Sequence, residues 1–402
     1  MRALCCGDVH FGHGDSYGRV PGERLAEQEA VWGQIIALAG DREADAILVA
    51  GDVFEGPLPT PEHYAAFARP LRDATCPVIA ISGNGRHDSA MRDTNALEVI
   101  GDLLVLHTRP AVTEVAGVSI ACLPWAPVSR LVAAHADRGR DDLHSFAAEL
   151  LLETARWLRA QTDGPMILLT HYAISGASLP NGMTSDQLRE VVLPLSELER
   201  LGFDAIVAGH LHRPQLLATD PADPMIPILY VGSPLPLDFG EGGYEHGCWI
   251  VDLDPLFGAS VPEFVPIASR RFVTAEFDFT REAIADGTAF EDELYGAAHL
   301  AAFKADTGLA GAFVKIRYRA TSEQAAAIND AALRQDLLDA GAHKVWIEPT
   351  IERDARARVE GMDESMDDRQ ALDMWLDAQD APDRSREALR PLHEGYLAEV
   401  AA

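Results

Sequence analysis

The stretch ALCCGDVH, residues 3–10, decides the fold assignment. A short apolar run, residues 3–6, is followed at once by a glycine and then by two potential metal ligands, Asp8 and His10. Strand faces repeat every two residues, so an Asp and a His at this spacing point to the same side. The stretch therefore predicts a buried strand that delivers two metal ligands at its carboxyl end.

The same arrangement returns four more times before residue 213. GD follows the apolar run 46–50, GN follows 78–81 with HD shortly after it, TH follows 167–169, and GHLH follows 205–208. The polar side chains that end these runs are Asp52, Asn84, His87, Asp88, His171, His210 and His212. In open α/β sheets the ligand site lies beyond the carboxyl ends of the strands, so we expect one crevice to collect them. Carboxylate, imidazole and amide ligands without thiolate favour Mn, Fe or Zn.

Amphipathic segments lie between these runs, and this alternation predicts an α/β layered domain over residues 1–269. A smaller α+β module is predicted over residues 270–352. Its segments are strand 272–279, helix 290–304, strand 312–319, helix 323–338 and strand 343–347. Residues 353–402 are predicted to form an acidic linker (Glu360, Asp363, Glu364, Asp367, Asp368) and two helical segments, 371–378 and 384–400.

The charge balance of the 402-residue chain is unusual, with 33 basic and 63 acidic residues and a net charge of −30. Such a surface repels nucleic acid at long range, so composition alone argues against DNA binding. No apolar run approaches the length that spans a bilayer. Five cysteines without a CxxC pair indicate buried, reduced thiols, with Cys5 and Cys6 on opposite strand faces. We therefore expect a soluble, cytoplasmic protein.

Taken together, GDVH, GDVF, GN…HD, TH and GHLH resemble the signature of calcineurin-like metallophosphoesterases. A later stretch, GSP at residues 232–234 and LDFGE at 237–241, is similar to one typical of SbcD nucleases. The resemblance implies a layered α/β sandwich with a small α+β capping domain and C-terminal helices. It also implies two divalent metal ions, with Mn²⁺ as the family's metal. Carried over by residue, Asp8, His10 and His212 would hold one ion, Asn84, His171 and His210 the other, and Asp52 would bridge them.

One departure from the family pattern concerns the catalytic residues. The family runs Gly-Asn-His-Asp without interruption, whereas Gly85 and Arg86 here separate Asn84 from His87. The resemblance implies that His87 acts on the phosphate or the leaving oxygen, so we predict a catalytic group of His87, Asp88 and Arg86. Arg86 could itself contact a phosphate. The alternative is a loop insertion that reduces activity.

The resemblance further implies DNA as substrate and a coiled-coil ATPase, SbcC, as partner. SbcD-like chains bind this partner through C-terminal helices. Two apolar faces are candidates for that contact here, one with Leu372, Trp375 and Leu376 and the other with Leu389, Leu392 and Leu397. These helices could equally fold back onto their own domain. The family also dimerises, and the helix 62–74 is our candidate, although its stripe of Tyr64, Phe67 and Leu71 could simply be core.

DNA binding by an acidic chain needs local positive charge. Lys315, Arg317 and Arg319 alternate with apolar residues on a predicted strand, which places three cations on one face. Lys344 on a neighbouring strand, and Arg270 and Arg271 at the domain junction, are further candidates. A solvated face paired with nearby acids explains these residues as well as a phosphate-binding surface does.

The resemblance thus implies a Mn²⁺-dependent DNA nuclease, an exonuclease or endonuclease on DNA ends or hairpins, within an SbcCD-type complex for DNA repair or recombination. A phosphodiesterase or phosphatase for a small nucleotide would use the same metals without needing the capping module. A scaffold of the same fold with weakened catalysis is the third hypothesis.

Overall fold

The protein is described by a computed structural model over residues 1–85, 87–88, 96–133, 143–179, 182–222, 225–254, 256–280, 303, 308–352, 366–378 and 382–400. The chain divides into two compact units. The first holds residues 1–275, 297–316 and 333–346, and the second holds 276–296, 317–332 and 347–402. The domain ranges 1–269, 270–352 and 353–402 stay a prediction.

Two sheets organise the first unit. Its strands are β1 (Arg2–Cys6), β2 (Ala46–Val49), β3 (Val78–Ile81), β4 (Val105–His107), β5 (Ala111–Val115), β6 (Val118–Leu123), β7 (Met166–Thr170), β8 (Ala173–Ile174), β9 (Val192–Leu193), β10 (Ala205–Ala208), β11 (Gln215–Leu217), β12 (Ile228–Tyr230), β13 (Gly247–Asp254), β14 (Gly258–Ala259) and β15 (Glu263–Pro266). Its helices are α1 (Glu23–Asp41), α2 (Pro61–Leu71), α3 (Val128–Leu131), α4 (Leu143–Arg159) and α5 (Leu195–Leu198), with a 3₁₀ segment at Ala96–Leu103.

The first sheet has the order β14-β13-β1-β2-β3-β4, with β15 also paired to β13, and the second has the order β11-β12-β10-β7-β6-β5. Strands β1 to β4 run parallel to one another, and so do β6, β7, β10 and β12. Strands β2, β3 and β10 are buried at every position. Burial on both faces explains why these runs read as continuously apolar rather than alternating.

Three hydrophobic cores separate the layers. Side chains of β1 alternate between two of them: Leu4 and Cys6 pack with Trp32 of α1, whereas Ala3 and Cys5 pack with residues of the second sheet such as Ile167. A third core lies between the second sheet and α4. The result is a helix–sheet–sheet–helix sandwich, so the predicted layered α/β fold is confirmed. All five cysteines are free, and four are buried.

The predicted dimer stripe on α2 belongs to the core. Phe67 is fully buried, Leu71 is 3% exposed, and Tyr64 packs against the same core. Trp32 stacks on Phe67 with ring centroids 5.2 Å apart. This stripe is therefore not a surface for a second copy, and the core alternative is correct.

The second predicted module contains a three-stranded sheet, β16 (Phe272–Asp278), β17 (Phe313–Thr321) and β18 (Lys344–Glu352), with β17 in the centre. The single helix predicted over 323–338 is wrong, because two helices occur, α6 (Ser322–Ala327) and α7 (Asp330–Asp339). Ile328 is extended, and the Asn329 side chain accepts a hydrogen bond from the Ala332 amide, as a residue that starts a new helix does. The predicted helix 290–304 lies, except for residue 303, outside the described residues.

The predicted C-terminal helices are α8 (Asp368–Ala378) and α9 (Asp383–Val400). They pair with each other through Arg390–Asp373 at 2.8 Å, Arg369–Glu394 at 3.2 Å, and Arg386–Asp377. Linker residues Glu360, Asp363 and Glu364 fall outside the described ranges. Within those ranges, none of the helices has the length and apolar composition that crossing a bilayer requires.

Candidate metal centre

The predicted ligands lie in loops at the carboxyl ends of five parallel strands, three from the first sheet and two from the second. The loops after β1, β2 and β3 carry Asp8, His10, Asp52 and Asn84, and the loops after β7 and β10 carry His171, His210 and His212. The amide of His210 donates to both carboxylate oxygens of Asp8, at 3.0 and 3.1 Å. This contact joins the loops of the two sheets.

Three groups of ligand atoms form there: two consist of predicted ligands, and the third joins His10 to Glu55 and His87. One atom each of Asp8, His10 and His212 lie within 4.8 Å of one another, and so do atoms of Asp52, His171 and His210. Asp52 Oδ2 is 3.4 Å from His171 Nε2 and 3.9 Å from His10 Nε2, so this carboxylate touches both groups. The structure thus brings these six residues together as two adjacent groups with Asp52 between them.

Asn84 lies against the same carboxylate. Its backbone amide donates to Asp52 Oδ1 at 2.7 Å, and its side-chain amide donates to Asp52 Oδ2 at 2.8 Å. Asn84 therefore directly follows β3 into the centre, as expected from the sequence.

Two imidazole nitrogens test whether this centre fits a metal. His10 Nε2 and His171 Nε2 are buried and have no hydrogen-bond partner. His171 Nδ1 donates to the Ala50 carbonyl at 2.6 Å, which leaves Nε2, 3.4 Å from Asp52, as the nitrogen that faces the centre. A buried polar atom without a partner costs about 1–3 kcal/mol, and a divalent ion would supply that partner. With nitrogen and oxygen donors and no thiolate, the residues fit two divalent ions.

The pKa shifts of the side chains at the centre also agree with a site for cations. Burial lowers the pKa of His10, and it would do the same to His171 and His212. The Asp52 carboxylate instead raises the pKa of His171 to about 10, and the Glu241 carboxylate raises the pKa of His212 to about 9. Burial opposes ionisation of Asp52, but the neighbouring imidazoles, above all His171, hold its pKa well below the usual range. The centre is built to hold positive charge.

His87 also reaches the centre. Its amide donates to the Asn84 carbonyl at 3.1 Å, which closes the turn that contains the two extra residues. Its Nδ1 lies 2.8 Å from the Glu55 carbonyl, and its Nε2 lies 3.8 Å from Asp52 Oδ2. The insertion therefore does not carry His87 away from the ligands. Arg86 lies outside the described residues.

Asp88 takes a different position from a group that touches substrate. It is fully buried, and its two carboxylate oxygens accept hydrogen bonds from the amides of Phe54, at 2.9 Å, and Gly83, at 3.1 Å. Burial, and then the charge of Asp52, raise its pKa to about 6. These contacts connect the loops after β2 and β3, so they favour a positioning role, and a direct catalytic role stays a prediction.

Comparison with known proteins agrees with this geometry. Residues 1–214 match the sequence profile of the family described as calcineurin-like phosphoesterase. The chain belongs to this family. The phosphoesterase is 28% identical over 302 residues to the D subunit of the nuclease SbcCD from Escherichia coli (strain K12), an alignment that covers 67% of this chain and 70% of that protein. The protein of the same name from Escherichia coli O157:H7 gives the same figures. The similarity to SbcD expected from the motifs is confirmed.

Solved structures are similar at lower identity. The protein TT1561 of Thermus thermophilus is 17% identical, with a TM-score of 0.40, and the match covers 65% of this chain and 98% of that one. A dimetal phosphatase from Danio rerio is 11% identical, with a TM-score of 0.39, and the match covers 67% of this chain and 99% of that one.

Backbone strain concentrates at the centre of the phosphoesterase. Among the described residues, six that are not glycine have positive φ, and four of these are candidate ligands. Their φ angles are 50° for Asp8, 52° for His10, 48° for Asp52 and 92° for His210. Such conformations cost about 1–3 kcal/mol each and persist where the surroundings enforce them. No pattern in the sequence indicated this strain at the ligands themselves.

The glycines beside the ligands mainly keep space. Of Gly7, Gly51, Gly83 and Gly209, only Gly51 has a positive φ, of 94°. A Cβ on Gly83 would lie 1.9 Å from Asp52 Oδ1, and a Cβ on Gly209 would lie 2.3 Å from the Ala50 carbonyl oxygen. Close approach of loops, rather than freedom of the backbone, requires glycine at these two positions.

Sequence reasoning missed Glu55. Its Oε2 lies 3.1 Å from His10 Nδ1 and 3.2 Å from His13 Nδ1. Its backbone carbonyl oxygen accepts a hydrogen bond from His87 Nδ1. His13, in the loop after His10, was missed as well. Glu55 comes three residues after Asp52, so this position in the GDVFE stretch was the available signal.

Two further carboxylates were missed as contacts of the histidines after β10. Glu190 Oε1 lies 2.7 Å from His210 Nε2, and Glu241 Oε1 lies 2.6 Å from His212 Nδ1. Glu190 lies in a loop that carries none of the sequence motifs, so nothing in the sequence indicated its contact with His210. Glu241 closes the SbcD-like stretch, and this was its only signal.

The predicted cationic face of β17 exists, but acids compensate its two arginines. Arg317 lies 3.1 Å from Glu348 and 3.4 Å from Glu276, and Arg319 lies 2.7 Å from Glu352. Lys315 stands over the Phe239 ring at 4.5 Å. The other predicted cations are also bound: Lys344 by the carbonyls of Ser16 and Gly18, Arg270 by Glu27 and Glu23, and Arg271 by the carbonyl of Gly308. These contacts favour the interpretation as a paired, solvated surface.

Proposed function

We propose that this phosphoesterase is a Mn²⁺-dependent DNA nuclease that acts as an SbcD-like subunit beside a coiled-coil ATPase. One observation carries the proposal: two groups of ligand atoms lie side by side, with Asp52 of one group 3.9 Å from His10 of the other, and His87 lies 3.8 Å from Asp52. The similarity to the D subunit of the nuclease SbcCD supports a nuclease over other phosphoesterases, because the alignment covers 67% of the chain and so extends beyond the family profile, which ends at residue 214.

The proposed ligand set follows the two groups. Asp8, His10 and His212 would hold one ion, and Asp52 would bridge to the second. Asn84, His171 and His210 complete the second set. Two divalent ions bound by these residues would supply an activated water and would neutralise the charge of the phosphate that is attacked. The protein must hold the metal-ligating side chains in fixed orientations, and the hydrogen bond from His171 to the Ala50 carbonyl orients one of them.

His87 is proposed to serve the leaving oxygen. Its Nδ1 donates to the Glu55 carbonyl, so Nε2 is the nitrogen that faces the centre. In its protonated form, Nε2 can donate a hydrogen bond to a phosphate oxygen or pass a proton to the leaving oxygen. Loss of such a group typically lowers the rate by about 10²–10⁴-fold.

The test is degradation of an end-labelled linear duplex by the purified chain with Mn²⁺. Wild type, Asp52→Asn, His87→Ala and the control His144→Ala would be compared, since His144 is an exposed residue of α4. We expect label loss that needs Mn²⁺ and Asp52, is about 100-fold slower or worse in His87→Ala, and is unchanged in His144→Ala. Full activity of Asp52→Asn would refute the dimetal mechanism, and full activity of His87→Ala would refute the role of His87.

A small-nucleotide phosphodiesterase is the second candidate. The net charge of −30 and the ion pairs of Arg317 and Arg319 favour it, because the described surface of β17 offers little uncompensated positive charge to a DNA backbone. A chain that hydrolyses a small chromogenic phosphodiester with Mn²⁺ but leaves duplex DNA intact, with and without an SbcC-type ATPase, would support this alternative.

The docking segment for the ATPase is proposed to be the pair α8 and α9. Ion pairs hold these helices together, yet Trp375 remains 43% exposed and Leu392 remains 69% exposed, whereas Leu376 is buried. Trp is among the residue types that contribute most to binding energy at protein contacts, which makes Trp375 the candidate for this contact. We also propose a cytoplasmic homodimer. Light scattering of the purified chain measures whether it forms a dimer. Co-purification with the ATPase measures docking, and we expect Trp375→Ala to abolish it.

A further inference from the structure

The stretch from Gly232 to Glu241 follows β12 and ends in a carboxylate that is buried beside the candidate metal centre. Glu241 is 7% exposed, and its Oε1 lies 2.6 Å from His212 Nδ1. Its other oxygen, Oε2, accepts hydrogen bonds from the Leu237 amide at 2.8 Å and from the Ser233 hydroxyl at 3.3 Å. One oxygen thus contacts a candidate ligand, His212, and the other accepts hydrogen bonds from residues of the loop that carries Glu241.

His246 ties this loop to the first sheet. It is 7% exposed and immediately precedes β13, which pairs with β1. Its Nδ1 lies 3.1 Å from Ser233 Oγ, and its Nε2 lies 3.0 Å from the Glu241 carbonyl oxygen. The position of the Glu241 carboxylate is therefore set by the fold and not by the His212 side chain alone.

The contact of Glu241 differs from the other contacts that orient ligand imidazoles. His171 forms a hydrogen bond with a backbone carbonyl. His10 contacts Glu55, whose side chain is 40% exposed, and His210 contacts Glu190, whose side chain is 36% exposed. The Glu241 side chain is 9% exposed. A charge-assisted hydrogen bond shielded from water is stronger and less screened by salt than one at the surface.

We propose that Glu241 is a positioning residue for one of the two metal sites. By accepting the Nδ1 proton of His212, it fixes the ring so that Nε2 is the nitrogen offered to the ion shared with Asp8 and His10. It also makes that nitrogen a better donor, as carboxylates behind metal-bound histidines do. The inference rests on the ligand set proposed above, and it assigns a role to the SbcD-like stretch of residues 232–241.

Glu241→Gln is the sharpest test, because it preserves size and removes the charge. One carboxylate oxygen faces the His212 N–H and the other faces the Leu237 N–H, so an amide NH₂ must oppose one of these donors in either orientation. We expect metal-free wild type to bind two Mn²⁺ per chain, measured by calorimetry and by the spectrum of coupled Mn²⁺ pairs. In Glu241→Gln we expect one site to weaken about 10–100-fold.

Glu199→Gln is the matched control. Glu199 is also 7% exposed, and its carboxylate accepts hydrogen bonds from the Thr219 amide and hydroxyl at 2.7 and 2.5 Å. This variant loses a buried charge of the same kind without a contact to a candidate ligand. We expect it to lower the unfolding temperature and to leave both Mn²⁺ affinities unchanged.

Combining Glu241→Gln with His212→Ala separates positioning from general loss of stability. Once His212 is absent, removal of the carboxylate should have no further effect on Mn²⁺ affinity. If Glu241→Gln does not fold, Ser233→Ala takes its place. It removes one hydrogen bond to Oε2, and we expect it to weaken the same site about two- to tenfold.

The outcomes are distinct. Wild-type Mn²⁺ affinity at both sites in Glu241→Gln, or in Ser233→Ala where the first variant does not fold, would overturn the positioning role and leave the metal centre standing. A further loss in the double variant as large as in Glu241→Gln alone would also overturn it. Failure of the wild type to bind Mn²⁺ would overturn the proposed ligand set and, with it, this inference.

Discussion

Replacement of Gly83 by Ala should disable the metal centre although no ligand residue is substituted. The added Cβ would lie 1.9 Å from Asp52 Oδ1 and 2.3 Å from the Asp52 backbone nitrogen. Carbon atoms do not approach this closely, so Asp52 and the end of β3 must separate by about 1.1 Å or more to reach even 3.0 Å. A 1 Å displacement of a reacting group can lower the rate about 100-fold, and overpacking typically costs about 1–3 kcal/mol of stability.

The assay measures Mn²⁺ affinity and hydrolysis of a small phosphodiester in Gly83→Ala and in the control Gly33→Ala. Gly33 lies inside α1, where a Cβ meets nothing within 4 Å, and alanine stabilises a helix interior by about 1 kcal/mol relative to glycine. We expect the control to melt slightly higher with normal turnover. Wild-type turnover and Mn²⁺ affinity in Gly83→Ala would refute the argument that Asp52 needs this space.

Three further outcomes are expected. Near pH 7 the metal-free chain carries protons on His171 and His212, because their pKa values are raised to about 10 and about 9. Mn²⁺ binding should therefore release protons, and the affinity for Mn²⁺ should rise with pH. Calorimetry in two buffers counts the released protons. Trp32→Ala should lose about 3–5 kcal/mol of unfolding free energy in denaturant titrations, because Trp32 is fully buried and stacked on Phe67. Arg317→Ala should leave DNA affinity unchanged in anisotropy titrations, since two glutamates compensate its charge; a clear loss would place β17 at the DNA.

The sequence predicted those parts of the fold in which local pattern and environment agree. Continuous apolar runs became β1, β2, β3, β7 and β10, because strands covered on both faces carry no polar alternation. The candidate ligands were chosen for the same reason, since each lies in the loop that follows such a run, and their role as ligands stays a prediction. The helix over 323–338 was predicted wrongly because Asn329 starts a second helix, where its side chain accepts a hydrogen bond from the Ala332 amide and so competes with a continuous helix.

The remainder of the centre depends on tertiary contacts that leave no local pattern. Glu190 and His210 are 20 residues apart, and Glu241 and His212 are 29 residues apart, and neither pair shares a strand or helix. The positive φ angles of Asp8, His10 and Asp52 are likewise imposed by the loops that surround them. Motifs therefore gave the identities of the donors, whereas the orientation of each donor could be read only from the structure.

The charge of the chain bears on how it would meet DNA. Each phosphate that a protein neutralises with Lys or Arg contributes about 0.9 to the slope of log affinity against log salt. Arg317 and Arg319 are paired with glutamates, so the described part of β17 should contribute little to that slope, and positive charge at the crevice would come from the ions themselves. Binding of a duplex by the chain alone should therefore depend weakly on salt, and the proposed ATPase partner should steepen the dependence by the number of cationic contacts it adds. A steep slope for the isolated chain, measured by anisotropy across a salt series, would contradict this and would require a cationic surface beyond the pairs described.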